Sequence, residues 1–266
     1  MDEASSNKNY KWNNRASLVN NNQQLDFDTF VTYEKFDSEI LRISTARLLW
    51  QDQFSSVSES IFNAYYQEKK IDCIFMEIPL EDIYLCMPEK RNYQFISTKI
   101  TYDAESVSIN NSSTNHIYRL APIDYNNYEN YWLDMVRDLS QTSHYARDLK
   151  IGAEKALLLY KRWFENSING YVQKHIAVYD DVIPCGFITL KESIGVMTID
   201  LLVVHNEFRG KGIAHYLMEA ACSYAIEKNK KLQVSTQIEN YAANRLYQKY
   251  GLRVRKAVGV FHKFLK

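Results

Sequence analysis

The sequence predicts an α/β protein: a mixed, largely antiparallel central sheet flanked by helices, preceded by a smaller α/β domain. Three observations carry this. From residue 116 onward, strand-type runs alternate with runs of helical apolar spacing in the order β-α-α-β-β-β-α-β-α-β-β. Within that order HIAVYDD, IPCGFITLKE and GVMTIDLLVVH read as successive strands with tight connections. At 266 residues the chain is long for one domain, and the small, polar stretch at 105–115 is the best linker candidate. The expected organisation is a polar, Asn-rich arm over 1–24, an N-terminal α/β domain over 25–104, a linker over 105–115 and the main α/β domain over 116–266.

In the first domain, EILRISTARLLW (39–50) has strand character and SSVSESIFNAYYQEKK (55–70) has helical apolar spacing. IDCIFMEIP (71–79) is a short buried strand, LEDIY (80–84) opens a further helix, and YQFISTKITYD (93–103) alternates as a strand. In the second domain HIYRLAP is a strand, followed by helices in NYENYWLDMVRDL and GAEKALLLYKRWFENSI. Tyr160 and Trp163, three apart on the second of these, read as core. After the three strands, GKGIAHYLMEAACSYAIEKN is a long amphipathic helix and KLQVSTQ a strand. NYAANRLYQKYG is a helix ended by Gly251 as a C-cap, and LRVRKAVG and VFHKFLK close the chain as two strands.

Bulk chemistry narrows the function. Thirty-two basic residues balance thirty-two acidic ones, which disfavours a broad nucleic-acid surface. Cys73, Cys86, Cys185 and Cys222 are widely spaced with no CxxC, so buried free thiols are expected rather than a metal or redox site. The N-terminus lacks a signal-peptide core, and no apolar run reaches the ~20 residues needed to span a bilayer, so no membrane partner is expected and the cytoplasm is the expected location.

The chemistry concentrates at Arg209-Gly210-Lys211-Gly212-Ile213-Ala214, between a strand and a helix. A helix start leaves backbone N–H groups without internal partners and, with the helix dipole, favours an anion. The small residues at 210, 212 and 214 let a phosphate approach, and Arg209 and Lys211 add positive charge. A nucleoside-triphosphate loop fails because no Ser or Thr follows Gly210-Lys211 for magnesium. A dinucleotide loop fails because His215 stands where its third glycine belongs. Arg209, Gly212 and Ala214 satisfy a third pattern, [QR]xxGx[GA]; the bland alternative is a glycine-marked helix start that merely packs tightly.

With IDLLVV before that loop and NYAANRLYQKYGL after it, the chain from His116 to Lys266 resembles the GNAT superfamily of N-acetyltransferases. LYKRWFENSING (159–170), GFITLKE (186–192) and STQIENYAANRLYQKYG (235–251) further resemble nucleotide-sugar N-acyltransferases of the TDP-fucosamine acetyltransferase kind. Those enzymes carry an N-terminal region like a truncated copy of the fold, and LLWQDQFSSVSESI (48–61) resembles its start.

The resemblance implies acyl-CoA as co-substrate and no metal. Its pyrophosphate would lie on the loop from Arg209 to Ala214, and its pantetheine would pair with the backbone of Leu201, Leu202 and Val203. Asn240, Asn244 and Tyr247 share one helical face at i, i+4 and i+7. The resemblance puts both amides against pantetheine or its neighbouring phosphate, and makes Tyr247 the acid that protonates the leaving thiolate. The family's strand glutamate is missing, since Val196 or Met197 occupies its place; Asp200, His205 and Glu239 are nearby without an assigned role. The acceptor site is expected from the loop SQTSHYARDLK (140–150), through His144, Tyr145 and Arg147, with Thr236 and Gln237 and the N-terminal region.

The reaction so implied is acyl transfer to a dTDP-linked amino-6-deoxysugar in bacterial surface-polysaccharide synthesis, with acetyl as the default group and hydroxybutyryl as a larger one. The alternatives are a GNAT enzyme acting on a peptide, ribosomal protein or small antibiotic amine, and a CoA-binding protein without turnover. A homodimer is compatible with either enzyme reading.

Overall fold

A computed structural model of the protein describes residues 26–104 and 118–265. The expected arm at 1–24 and the expected linker at 105–115 lie outside the described residues. The N-terminal part contains β1 (Val31–Tyr33), α1 (Lys35–Leu41), β2 (Thr45–Leu49), α2 (Glu59–Glu68), β3 (Cys73–Pro79), α3 (Ile83–Cys86) and β4 (Gln94–Ala104). There follow β5 (Arg119–Ala121), α4 (Glu129–Gln141), α5 (His144–Arg147), α6 (Gly152–Asn166), β6 (Lys174–Asp180), β7 (Ile183–Ser193) and β8 (Val196–Val204). The chain ends with α7 (Ile213–Glu227), β9 (Lys231–Gln237), α8 (Tyr241–Lys249) and β10 (Arg253–Phe264).

All ten strands form one sheet in the order β1-β2-β3-β10-β4-β9-β8-β7-β6-β5. Only β2–β3 and β8–β9 are parallel, so the sheet is mixed and largely antiparallel, as the sequence predicts. The units β2–α2–β3–α3–β4 and β8–α7–β9–α8–β10 have the same order, each with its parallel pair first. Their last strands are exchanged: β10 lies against β3, β4 lies against β9, and the two pair with each other at the centre. The two units thus share one sheet.

Apolar side chains cover both faces. Leu217, Met218, Ala221 and Cys222 of α7 pack on Ile188, Leu190, Met197 and Val234. On the other face Trp132, Met135 and Val136 of α4 and Phe164 of α6 pack on Ala177, Phe187, Leu201 and Val203. Helix α6 reaches across both halves: its Ala156 and Leu159 join Leu41, Cys73 and Phe75 of the N-terminal part. All four cysteines are buried and free.

Three local expectations need correction. Glu39–Leu41 belong to α1, because Asp37, Ser38 and Leu41 bury one helical face; Arg42 ends the helix at φ 53° and leaves only Thr45–Leu49 as strand. The two closing strands are one, β10, because pairing with β3 on one side and β4 on the other carries the ladder through Gly259. Glycine is required there, since a Cβ would stand 2.7 Å from the Phe261 ring. The stretch read as the loop 140–150 contains α5, a single turn whose first donors are capped by Ser143 Oγ accepting from the Ala146 N–H at 3.2 Å.

Candidate active site

The site begins where a strand pair stops pairing. Strands β8 and β9 are in register only from Val196–Lys231 to Ile199–Val234. Beyond that, Ser235, Thr236 and Gln237 pair only with β4 and Leu201–Val204 only with β7, so a wedge opens between them. In the N-terminal unit every residue of β2 pairs with β3, so no such wedge opens there. A bulge marks the opening: Thr189 faces Leu201 and Leu190 faces Ile199, leaving Asp200 as the extra residue. The Leu201 N–H donates to Thr189 Oγ1 at 3.0 Å, toward β7. Strand alternation then turns the main-chain groups of Leu202 and Val204 into the wedge and those of Leu201 and Val203 away from it. Of the three expected pantetheine partners, Leu202 is thus the one with free main-chain groups facing the opening.

The glycine loop closes the end of β8. Gly210 and Gly212 have φ of 77° and 85°, which side chains with a Cβ rarely adopt, and Gly212 is the residue before α7. Ile213 buries its side chain in the core, so only its backbone is available to a ligand. Arg209 is already engaged: its guanidinium pairs with Asp138 of α4 at 2.7 Å and donates to the Val204 carbonyl at 3.3 Å. Arg209 therefore braces the loop, while Lys211 stays exposed beside the Phe208 ring at 4.8 Å.

Helix α8 forms the other wall. Asn240 is its N-cap, accepting from the Ala243 N–H at 3.2 Å. Asn244 is buried, accepts from Tyr102 Oη at 2.9 Å and donates to the carbonyls of Gln237 (3.2 Å) and Ile238 (2.9 Å). Tyr247 is buried beside Tyr102, ring centres 5.9 Å apart, yet it lines the wedge. Burial, with the neighbouring Tyr102 oxygen second, pushes its phenol well above the ordinary value, so it holds its proton.

The wedge continues into a cavity of about 330 Å³ whose far wall is N-terminal. Arg47 of β2, Glu77 of β3 and Lys99 of β4 line it together with His144, Tyr160, Trp163, Asp200 and Tyr247. Arg47 reaches Glu34 at 2.6 Å and Glu77 at 3.0 Å, and Lys99 reaches Glu77 at 2.5 Å. Burial works to raise the Glu77 carboxyl, but Lys99 and Arg47 outweigh it and hold it below its ordinary range. Asp200 accepts from Trp163 Nε1 at 2.8 Å, and burial raises its carboxyl despite that bond.

The family model described as Acetyltransferase (GNAT) family matches residues 133–252, which span α4 to the end of α8 and contain the wedge, the loop and Tyr247. The chain carries a GNAT acetyltransferase domain. The spore coat polysaccharide biosynthesis protein SpsD of Bacillus subtilis is 24% identical over 209 residues, covering 76% of this chain and 71% of SpsD. A GCN5-related N-acetyltransferase from Sphaerobacter thermophilus superposes with a TM-score of 0.60 at 12% identity, over 89% of this chain and 76% of that one. A tandem GNAT protein from the clavulanic acid biosynthesis pathway gives 0.52 at 12% identity, over 84% and 75%. At these identities the two structures speak for the fold alone.

The matched domain is of the N-acetyltransferase kind, and that family takes acyl-CoA as co-substrate. Among the described residues no cluster of His, Cys, Asp or Glu could hold a metal ion, and no helix is long and apolar enough to cross a membrane. Thr236, Gln237, His144 and Tyr145 meet at the cavity, as does Asn240. Tyr145 is buried and donates to Asp37 Oδ2 at 2.7 Å, so it is a wall of the site and not a stacking surface on an exposed loop. Arg147 does not join the cavity lining and pairs with Glu239 at 3.4 Å. His205 opens the turn Asn206–Phe208 and is no part of the cavity lining either.

Tyr160 and Trp163, expected as core, line the cavity, because their helix spans the gap between the two halves. The contributions of Arg47, Glu77 and Lys99 were not anticipated. A sequence signal existed for two of them: each is the lone charge in an otherwise apolar strand, TARLL for Arg47 and CIFMEIP for Glu77.

Proposed function

We propose that the GNAT domain transfers an acyl group, acetyl by default, from CoA to the amine of a nucleotide-linked amino sugar, of the dTDP-amino-6-deoxysugar type, for bacterial surface-polysaccharide synthesis. The observation that carries this reading is the joining of the β8–β9 wedge to a cavity rich in hydroxyl and amide groups. Thr142, Thr198, Ser235, Thr236 and Gln237 line it beside the charged wall, a surface suited to a hydroxylated amine. The similarity to SpsD, by its name a polysaccharide biosynthesis protein, points the same way.

In this reading the helix start at Gly210–Ala214 takes the CoA pyrophosphate, and pantetheine lies along Leu202 and Val204 in the wedge. Asn240 sits at the pantetheine's edge. The Leu202 N–H donates to the thioester oxygen as negative charge develops there, a fixed and preorganised donor. Asp200, whose Oδ2 is held by Trp163, ion-pairs with the incoming ammonium. After the amine nitrogen bonds the carbonyl carbon, the C–S bond breaks and Tyr247 protonates the thiolate. The N-terminal copy, with its closed strand pair, supplies a wall of the acceptor cavity and not a second CoA site.

Thiol release from acetyl-CoA and 3-hydroxybutyryl-CoA, crossed with dTDP-3-amino and dTDP-4-amino sugars, peptides and an aminoglycoside, tests this. A turnover confined to the peptides or the antibiotic amine would reject the sugar acceptor. The loop has its own test. Gly212→Ala should raise the KM for acetyl-CoA roughly tenfold with kcat nearly intact, because a Cβ at φ 85° costs ~1–2 kcal/mol and shifts the N–H groups that bind phosphate. Steady-state kinetics with the acceptor saturating would read it.

A further inference from the structure

One part of the cavity wall has a chemistry that this reaction scheme leaves unused. His144 of α5 faces the cavity, and its Nδ1 is 2.9 Å from Nε2 of His262, a buried residue of β10. His262 Nδ1 is in turn 2.7 Å from Oδ2 of the buried Asp148. Three side chains from two distant parts of the sequence thus form a line that ends at the cavity.

We propose that Asp148, His262 and His144 form a proton relay whose cavity end, His144 Nε2, is the general base that accepts the amine proton during acyl transfer. The inference rests on the N-acyl transfer proposed above, and it fills the place left by the family's missing strand glutamate.

The direction of the line follows from what each group can donate. Burial opposes ionisation of Asp148, but the His262 hydrogen bond and the Lys150 N–H, 2.8 Å from Oδ1, hold its carboxyl below the ordinary range. An ionised carboxylate only accepts, so His262 Nδ1 donates. Burial keeps His262 neutral against the pull of Asp148, which makes its Nε2 an acceptor. His144 Nδ1 must then be the donor. Burial first, then His262, Arg47 and Lys99, keep His144 neutral too. Its Nε2 is left with a free lone pair, and among the described residues no protein hydrogen bond reaches that atom.

A neutral imidazole in so dry a place is a weak base by itself. The relay removes that weakness. As the ammonium meets the thioester carbon its proton passes to His144 Nε2, which frees the lone pair that forms the C–N bond. The Nδ1 proton of His144 can move to His262 Nε2, so the positive charge comes to rest on His262, hydrogen-bonded to the Asp148 carboxylate. The C–N bond forms, the adduct nitrogen gives its second proton to solvent, the C–S bond breaks, Tyr247 gives its proton to sulfur and recovers one from solvent, and the relay returns its proton to solvent as product leaves. The net reaction is ammonium plus thioester to amide, thiol and one proton. His144 is the catalytic residue here; His262 and Asp148 position and charge-compensate it.

The groups that face His144 are Arg47 from β2, Lys99 from β4 and His262 from β10, with the Phe75 and Tyr145 rings at 5.9 Å and 3.9 Å. Burial opposes the charge on Arg47, but Glu34 and Glu77 outweigh it and hold the guanidinium charged, so an acid limb would report the relay. The test is kcat/KM for the acceptor from pH 5.5 to 9.5 in wild type, His144→Gln and Asp148→Asn. At pH 6.5 His144→Gln should lose roughly 100-fold or more, and the defect should shrink above the acceptor's own pKa, where neutral amine needs less help. Asp148→Asn, which keeps an oxygen for His262 but no charge, should lose less with the same pH signature. A pH-independent defect, or activity within threefold of wild type at pH 6.5, would overturn the base role.

Nitrogen-15 imidazole NMR on the intact protein gives a readout without turnover. Both histidines should carry the proton on Nδ1 and none on Nε2; the opposite tautomer at His144 would overturn the relay. If wild type shows these tautomers but no amine-dependent thiol release, the acyl-transfer reading fails and the base role fails with it. If wild type turns over but the tautomers or the pH signature are wrong, only the relay fails.

Discussion

Tyr247→Phe should lower kcat by roughly 100- to 10,000-fold while leaving the KM for acyl-CoA and the melting temperature nearly unchanged. The expectation comes from what the substitution removes. Tyr247 contributes a ring to the α7–α8 core and to the contact with Tyr102, and phenylalanine keeps that ring. Its hydroxyl is another matter: among the described residues no protein hydrogen bond to Tyr247 Oη is present, so deleting it orphans no partner. Only the proton is lost. Burial raises the phenol above its reference value of about 10, so the acid stays protonated through neutral and mildly alkaline pH and draws no alkaline limb there. Poor leaving thiolate in the variant should appear as slow release followed with a thiol-specific chromogen. A Phe variant within about threefold of wild type, at saturating donor and acceptor, would strip Tyr247 of the acid role.

The parts of this site that were legible in the sequence are those whose physics is local. Gly210 and Gly212 announce a backbone turn by themselves, and the helix after them announces its exposed N–H groups. Tyr247 follows from its place in a helix after a strand. What escaped is long-range. The wedge depends on β9 leaving β8 for β4, a strand some 130 residues earlier in the chain, and nothing in IDLLVV or KLQVSTQ records that choice. Arg47 and Glu77 were visible as odd charges in apolar strands, but only the exchange of β4 and β10 brings their strands into the wall of a cavity shared with Tyr247. Tyr160 and Trp163 looked like core because helical spacing reports which face is apolar, not whether that face meets a packed sheet or a gap. The relay joins positions 144, 148 and 262, which share no spacing rule at all.

The asparagine stripe shows the same limit from the other side, and it yields the largest expected effect on stability. Asn240, Asn244 and Tyr247 do fall on one helical face, yet the three residues have different work. Asn244 sits with its amide saturated: one acceptor contact from Tyr102 and two donor contacts to the backbone where β9 leaves the sheet. Asn244→Ala leaves the buried Tyr102 phenol and the part-buried Ile238 carbonyl short of a partner, while the Gln237 carbonyl keeps the Asn240 N–H. At ~1–3 kcal/mol for each such group, with some recovered by water, the net loss should be about 2–4 kcal/mol. For a chain of this size that is a fall of roughly 5–15 °C in melting temperature. The prediction separates two roles for one side chain. If Asn244 touched pantetheine, its loss would raise the KM for acyl-CoA and barely move the melting curve. If it staples α8 to β9 and β4, the melting curve moves and the surviving folded fraction binds acyl-CoA within threefold of wild type, provided assays run well below the transition. Asn244→Asp sharpens the contrast, because it keeps an oxygen for Tyr102 but sets a carboxylate against two carbonyls. It should destabilise at least as much as alanine at neutral pH and recover part of that loss in acid, where a protonated carboxyl can donate to one carbonyl. A ligand contact has no reason to show that recovery in the free protein, so differential scanning calorimetry of the unliganded variant across pH distinguishes the staple from the contact.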